Sequence, residues 1–407
     1  MFRPTSPRLH RPRLAFGALA AIAAVTLAGC AGSTAPASTP DPEKPAATES
    51  GTRVAVAHDG GILVLDGETL EPVGDAELAG YLRVSDAGDA AGHVFVTTDG
   101  GFHLLDTGLA SGTVEFTGEV FDADAPGHVT PHAGRTALFD DATGDVRVFE
   151  TDAVGTGSLP EFDTVKSEAA HHGVAIELSD GTMLSTIGTS ESRSGVRHLA
   201  ADGSELARSE QCPAVHGEGA LKDEVVVFGC EDGVLVFADG AFTKLDAPDE
   251  FGRVGNAYVT ETSAIAVGDY KTDPDAEGYL LSALTLIDTA AQTLDVVDLP
   301  EGVEYTWRGV GRDSHDGIVV LSADGSLYTL DEKGAVQDSW SVIEPWESPE
   351  EWQHPHPGLR VVGDIAYVTE PAAKKVLAVD LHTGEVVASQ TLDVVPGEFV
   401  VAGAAGH

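Results

Sequence analysis

The sequence predicts an all-β fold, an eight-bladed β-propeller closed by its own C-terminal strand, and three observations carry that prediction. Beyond residue 52, short apolar runs recur with a period of roughly 40 to 50 residues. Tight Asp-Gly turns follow many of these runs, and a spare apolar segment near the C-terminus can supply the strand that the first unit lacks. The hydrophobic fraction of 42% with Gly 47 suits short strands and tight turns better than long helical stripes.

Eight cores can be read in order, at 54–57, 93–97, 136–139, 174–178, 225–228, 264–267, 318–321 and 365–368. Hairpin turns stand at Asp59-Gly60-Gly61, Asp99-Gly100-Gly101, Asp180-Gly181, Asp232-Gly233 and Asp324-Gly325. Some units close on an acidic turn after a second run, as in Asp66-Gly67-Glu68-Thr69 and Asp380-Leu381-His382-Thr383-Gly384-Glu385. Four-stranded blades arranged radially bury their faces against one another, and only a closed ring removes the two end faces. The first unit starts directly at Arg53-Val54-Ala55-Val56, whereas Gly397-Glu398-Phe399-Val400-Val401-Ala402 follows the last complete unit. The tail is therefore the expected innermost strand of the first blade, and a count of seven blades is the alternative.

Ahead of the repeats, Arg3, Arg8, Arg11 and Arg13 precede an apolar run over 14–27 that ends in Leu27-Ala28-Gly29-Cys30. This reads as a bacterial export signal over residues 1–29. Its ending looks like the lipobox of bacterial lipoproteins, which implies cleavage before Cys30 and a lipid on the Cys30 thiol. The run is short for a transmembrane helix. Residues 30–52, rich in Ser, Thr, Pro and Ala, read as a flexible tether, and 53–407 as a single propeller domain. The expected location is the outer face of the cytoplasmic membrane, held by the lipid, with the protein a monomer.

Lys+Arg 23 against Asp+Glu 66 gives a formal charge of -43. Such a surface repels nucleic acid phosphates and anionic headgroups, so nucleic acid is excluded as a partner, while cations are concentrated. Acidity of this kind also simply keeps an exported protein soluble. Apart from Cys30, the cysteines are Cys212 and Cys230. In an oxidising compartment they are expected to form a disulfide that holds the His216 loop; the alternative is two thiolates sharing a metal with His216.

The histidines carry the functional reading. Pro131-His132-Ala133-Gly134, Ala170-His171-His172-Gly173 and Val215-His216-Gly217-Glu218 each precede an apolar β run. Equivalent positions of neighbouring blades face one axis, so His132, one of His171 and His172, and His216 are expected to converge on a borderline divalent ion such as zinc. Only one ring of the doublet can face a given target in extended backbone. Glu218, Asp269 and His128 are the candidate fourth donors. A lone histidine before a strand is more often a satisfied turn residue, and His58, His93, His103, His198, His315 and His382 are read as ordinary surface or edge residues.

Other signals are weaker. Gln353-His354-Pro355-His356-Pro357 is either a second, weaker site or an exposed polar loop. The stretches 271–279 and 340–358 read as surface insertions, with Trp340, Trp346 and Trp352 covering an inter-blade seam. Asp273-Pro274-Asp275-Ala276-Glu277-Gly278 begins like a calcium loop, but Leu284 stands where a bidentate acid is required. With Met1 and Met183 alone there is no thioether cluster for Cu(I), although imidazoles also take Cu(II). No nucleophile elbow, phosphate loop or zinc-protease helix appears, so the chain is read as not an enzyme. The alternatives are a metal-dependent lactonase or hydrolase with Glu218 as base, and a metal-free interaction scaffold.

These histidine loops, with 59–67, Pro131-His132-Ala133-Gly134-Arg135, His171-His172-Gly173-Val174-Ala175, Cys212 to Glu218 with Gly229-Cys230-Glu231-Asp232-Gly233, and Gly268-Asp269-Tyr270-Lys271, resemble the AztD-type zinc metallochaperones. The resemblance spans most of the chain beyond the tether. It implies an exported propeller that carries zinc to the solute-binding protein of a zinc ABC transporter. Some members bear a His- and Asp-rich arm near the mature N-terminus, and residues 30–52 have no histidine. A lipid anchor is the expected substitute for keeping the carrier near its transporter.

Overall fold

A computed structural model describes residues 51–275 and 280–403. The expected leader, Cys30, nearly all of the tether and part of the 271–279 insertion lie outside the described residues. Among the described residues no helix is long and apolar enough to cross a membrane.

The sheets follow the predicted rhythm. There are eight blades, each with a four-strand antiparallel path. Blade 1 combines Arg53–His58, Gly61–Asp66 and Pro72–Glu77 with Phe399–Ala402 from the far end of the chain. Blades 2 to 8 then follow in sequence, and their innermost strands are Arg83–Asp86, Pro126–His132, Ala175–Glu177, His216–Ala220, Ala257–Tyr258, Val310–Arg312 and Gly358–Val362. Closure falls where it was expected: Arg53 pairs with Ala402, Val54 with Val401, Ala55 with Val400 and Val56 with Phe399.

Side-chain alternation explains why the strands are apolar on both faces. Val54 and Val56 pack toward blade 8, with Tyr367, Val376 and Ala378, while Ala55 and Ala57 pack toward blade 2, with Val84, Val94 and Leu105. Each strand thus feeds two seams, so polar alternation is lost. Eight apolar clusters result, one between every neighbouring pair of blades. Each large side chain so buried contributes about 1.5 to 3 kcal/mol. Trp340 and Trp346 cover the seam between blades 7 and 8, as expected, whereas Trp352 does not join them and packs edge-on against Tyr81 and Trp307.

Candidate metal centre

Three imidazoles from blades 3, 4 and 5 meet at one end of the ring. His128 lies near the start of the innermost strand Pro126–His132, His172 in the loop leading to Ala175–Glu177, and His216 opens His216–Ala220. Every pair of rings, His128 with His172, His128 with His216 and His172 with His216, is 5.2 Å apart between centroids. One nitrogen from each lies within 4.8 Å of the others. With zinc about 2.0 to 2.1 Å from each nitrogen, ring centres sit ~3.2 Å from the ion and ~5.2 Å from each other in a tetrahedral arrangement. The rings are spaced as a tetrahedral zinc site requires.

Local backbone irregularities aim two of these rings. In blade 3, Pro126 pairs with Asp140 and Val129 with Leu138, so Gly127 and His128 oppose the single residue Phe139 in a bulge. In blade 5, His216 pairs with Gly229 and Glu218 with Phe228, which leaves Gly217 as the extra residue. Both bulge glycines are sterically required. A Cβ at Gly127 would stand 2.4 Å from Asp141 Oδ1, and one at Gly217, whose φ is +61°, 2.5 Å from the Gly255 carbonyl oxygen.

Those two crowded groups are the hydrogen-bond acceptors that orient the histidines. Asp141 Oδ2 lies 2.6 Å from His172 Nδ1, and the Gly255 carbonyl 2.7 Å from His216 Nδ1. Ionised carboxylate and carbonyl oxygens only accept, so each Nδ1 donates and each Nε2 keeps its lone pair for a ligand. Asp141 is itself fixed by the Gly173 N–H at 3.2 Å. The Gly255 turn is held by Asp269, which accepts from the Gly255 and Asn256 N–H groups at 2.5 and 3.0 Å. The disulfide between Cys212 and Cys230 ties the segment entering His216 to the end of strand Val226–Cys230.

The electrostatics favour neutral rings at His128 and His216. Part of the His128 side chain is reached by solvent, at 23% exposure, yet protein surrounds it closely. Burial lowers its pKa well below the ordinary imidazole range, helped by the neighbouring His216 and His172. Burial also pushes His216 down to about 4, against the opposing pull of its bond to Gly255. Neutral imidazoles are the metal-binding form. Glu218 lies with Oε2 4.0 Å from His128 Nδ1 and accepts from Thr130 Oγ1 at 3.2 Å. Burial pushes its carboxyl up to about 7.

The expected ligand set is therefore redrawn. His132 does not join the cluster: it ends its strand at the other end of the ring, four residues and ~13 Å along from His128. There its Nε2 meets Glu224 at 2.9 Å and its Nδ1 meets Glu261 at 3.7 Å. A cavity of about 210 Å³ between the innermost strands has Thr130, His132, Glu218 and Glu261 in its lining. His171 is buried, bonded to the Ala169 carbonyl and Thr186, and Asp269 supports the Gly255 turn instead of facing the rings. His354 and His356 are split. His354 is exposed beside Glu351, whereas His356 is buried against Trp346. His93 and His198, expected at the surface, are also buried. Asp141 and Gly255 carried no signal in the sequence, because an Asp in a turn and a backbone carbonyl look ordinary there.

Fold and site together define a β-propeller with a tri-histidine cluster of metal-binding geometry. Among curated proteins the chain is similar to zinc chaperone AztD of Citrobacter koseri, with 23% identity over 289 residues, 69% of this chain and 66% of that protein. The match thus spans slightly less than two thirds of the relative's length. Two solved structures share the fold: apo AztD from C. koseri, at TM-score 0.74 and 19% identity over 87% of this chain and 98% of that one, and a crystal structure of C. koseri AztD, at 0.73 and 18% over 86% and 98%. The resemblance to AztD-type zinc metallochaperones is matched by relatives of that name. The dihydro-heme d1 dehydrogenase NirN also shares the fold at TM-score 0.57, with 13% identity over 90% of this chain and 78% of that one, so the architecture is used by an enzyme too. No family model matches the chain.

Proposed function

We propose that this protein is an extracytoplasmic zinc metallochaperone. It takes zinc as cargo between His128, His172 and His216, and hands it to the solute-binding protein of a zinc ABC transporter. The observation that carries this reading is the equal 5.2 Å spacing of three rings, two of them held with Nε2 free. Three protein ligands leave a fourth position for water, for Glu218 or for a ligand from the recipient, an arrangement suited to exchange more than to a closed structural site. The disulfide favours an oxidising compartment, and lipidation at Cys30 would keep the carrier beside its transporter. In this reading the protein is a monomer, has no catalytic role and does not bind nucleic acid.

The test begins with mature protein stripped by chelator and titrated with zinc, followed by mixing with the apo solute-binding protein. Tight uptake that His128→Ala, His172→Ala or His216→Ala abolishes, and zinc appearing on the recipient, is the expected result. Uptake indifferent to all three substitutions would end the proposal. One observation favours a second reading as a metal-dependent hydrolase: the Glu218 carboxyl, raised to about 7 next to the cluster, is poised as a base for a metal-bound water. Turnover of lactone or ester substrates by the zinc-loaded protein, lost in Glu218→Gln, would select that reading.

A further inference from the structure

Away from the tri-histidine cluster, we propose a second divalent-cation site formed by His315, Asp364 and His382. One ligand atom from each lies within 4.8 Å of the other two. Asp364 Oδ2 is 3.4 Å from His382 Nε2, Asp364 Oδ1 is 3.9 Å from His315 Nε2, and the two rings are 5.9 Å apart between centroids.

The site lies on the opposite face of the ring from the first. His315 sits in the turn between Val310–Arg312 and Ile318–Leu321, Asp364 in that between Gly358–Val362 and Ile365–Glu370, and His382 in that between Lys375–Asp380 and Val386–Thr391. In an antiparallel blade the first and third turns lie at one end, and the innermost strand begins at the other. The cluster containing His128 and His216 gathers where the innermost strands begin.

These turns are bonded to one another before any ion arrives. The Ser314 N–H donates to the Gly363 carbonyl at 3.1 Å, and the Ser314 hydroxyl donates to Asp364 Oδ1 at 2.6 Å. The Leu381 N–H donates to the Asp364 carbonyl at 2.9 Å. Asp313 and Asp380 accept from the backbone N–H groups of His315 and His382 at 2.9 and 2.8 Å, fixing where each side chain leaves the chain. Two blades thus hold three donors in register, and the ordering cost of the backbone is met by the fold.

Two imidazoles and one carboxylate suit Zn(II), Cu(II) or Ni(II), whereas Ca(II) and Mg(II) prefer all-oxygen sets. His315 and His382 are 71% and 60% exposed, so the site is open and exchanges readily, with water completing the coordination. The bland alternative is two histidines in solvated ion pairs with one carboxylate, and the experiment separates them.

The experiment uses the full mature chain and zinc alone, then copper or nickel alone. Wild type is expected to take up a tighter and a weaker equivalent. His172→Ala removes the tighter, and His315→Ala or His382→Ala lowers the affinity of the weaker by at least about tenfold, since even outer partners of a metal cost 10- to 100-fold. Asp364→Asn, which keeps an acceptor for Ser314, has the same effect. Circular dichroism verifies that each variant is folded. A weaker equivalent that is absent from wild type, or that persists unchanged in folded His315→Ala, His382→Ala and Asp364→Asn, overturns the proposal. Loss of the tighter equivalent alone bears on the first site and leaves this one standing.

Discussion

Asp141 of blade 3 accepts the Nδ1 proton of His172, which leads into blade 4, at 2.6 Å. A residue of one blade thus sets the tautomer of a candidate ligand on the next, and Gly127, beside His128, lies too close to Asp141 Oδ1 to carry a side chain. Asp141→Ala should leave the blade folded but free the His172 ring to rotate. Zinc affinity is expected to drop 10- to 100-fold, measured by competition against a chromophoric chelator. A drop no greater than that of an exposed acidic residue elsewhere, such as Asp338→Ala, would show that the carboxylate plays no part.

His128 and His132 lie on one strand and should behave differently. His128→Ala removes one of three candidate ligands, and zinc uptake should fall by more than tenfold. His132→Ala leaves the three rings intact, so affinity should hold within about threefold, which is under 1 kcal/mol. The cost of His132→Ala should appear in thermal stability instead, because Glu224 loses one of its partners and keeps only Ser179. Isothermal titration with parallel melting curves reads both.

Proton release offers a third check. Burial lowers the pKa of His128 and His216, so at pH 7 both rings are already neutral and neither gives up a proton to zinc. Glu218, pushed up to about 7, is half protonated at that pH, and a cation beside it favours the carboxylate. About half a proton per zinc should leave from Glu218 at pH 7, found by calorimetry in buffers of different ionisation enthalpy, and Glu218→Gln should abolish that share. Unchanged release in the variant would remove Glu218 from the site.

Asp86 gives a prediction about stability alone. Burial raises its carboxyl to about 6, despite the Gly88 and Ala87 N–H groups that favour the anion. Between its unfolded value near 3.8 and about 6, the folded chain binds more protons than the unfolded one, so stability falls as pH rises through that window and stays lower above it. Asp86→Asn keeps an acceptor for the Gly88 N–H and removes the charge. It should stabilise the protein by on the order of 1 to 2 kcal/mol at pH 7.5, with little effect near pH 4. Urea titrations at the two pH values decide it.

The sequence carried the ring well and the centre only in part. Asp-Gly turns and runs such as Val54-Ala55-Val56 are local signals, and the unpaired tail at Phe399 announced closure. The site depends on which end of a strand a residue occupies, and there the signal misled. The innermost strand of blade 3, Pro126–His132, is rich in Gly, Pro and His and does not look like a strand. His132 therefore seemed to stand at the entrance to its blade when it lies at the end of that strand. His128 sits in a bulge, which shifts side-chain phase by one residue and which periodicity cannot reveal. His315 and His382 were unremarkable alone, because only the side-by-side packing of blades 7 and 8 brings them to one carboxylate.

The pairing of Phe399–Ala402 with Arg53–His58 makes the order of synthesis matter. The earliest blade to emerge is the last to be finished, because it waits for residues made several hundred positions later. Until the tail arrives, the wheel is an open arc with a sticky margin at each extremity, a shape prone to pairing with another unfinished copy. Clipping the final strand should therefore harm yield and solubility well before it touches cargo capture, since the petals holding His128, His172 and His216 lie elsewhere on the rim.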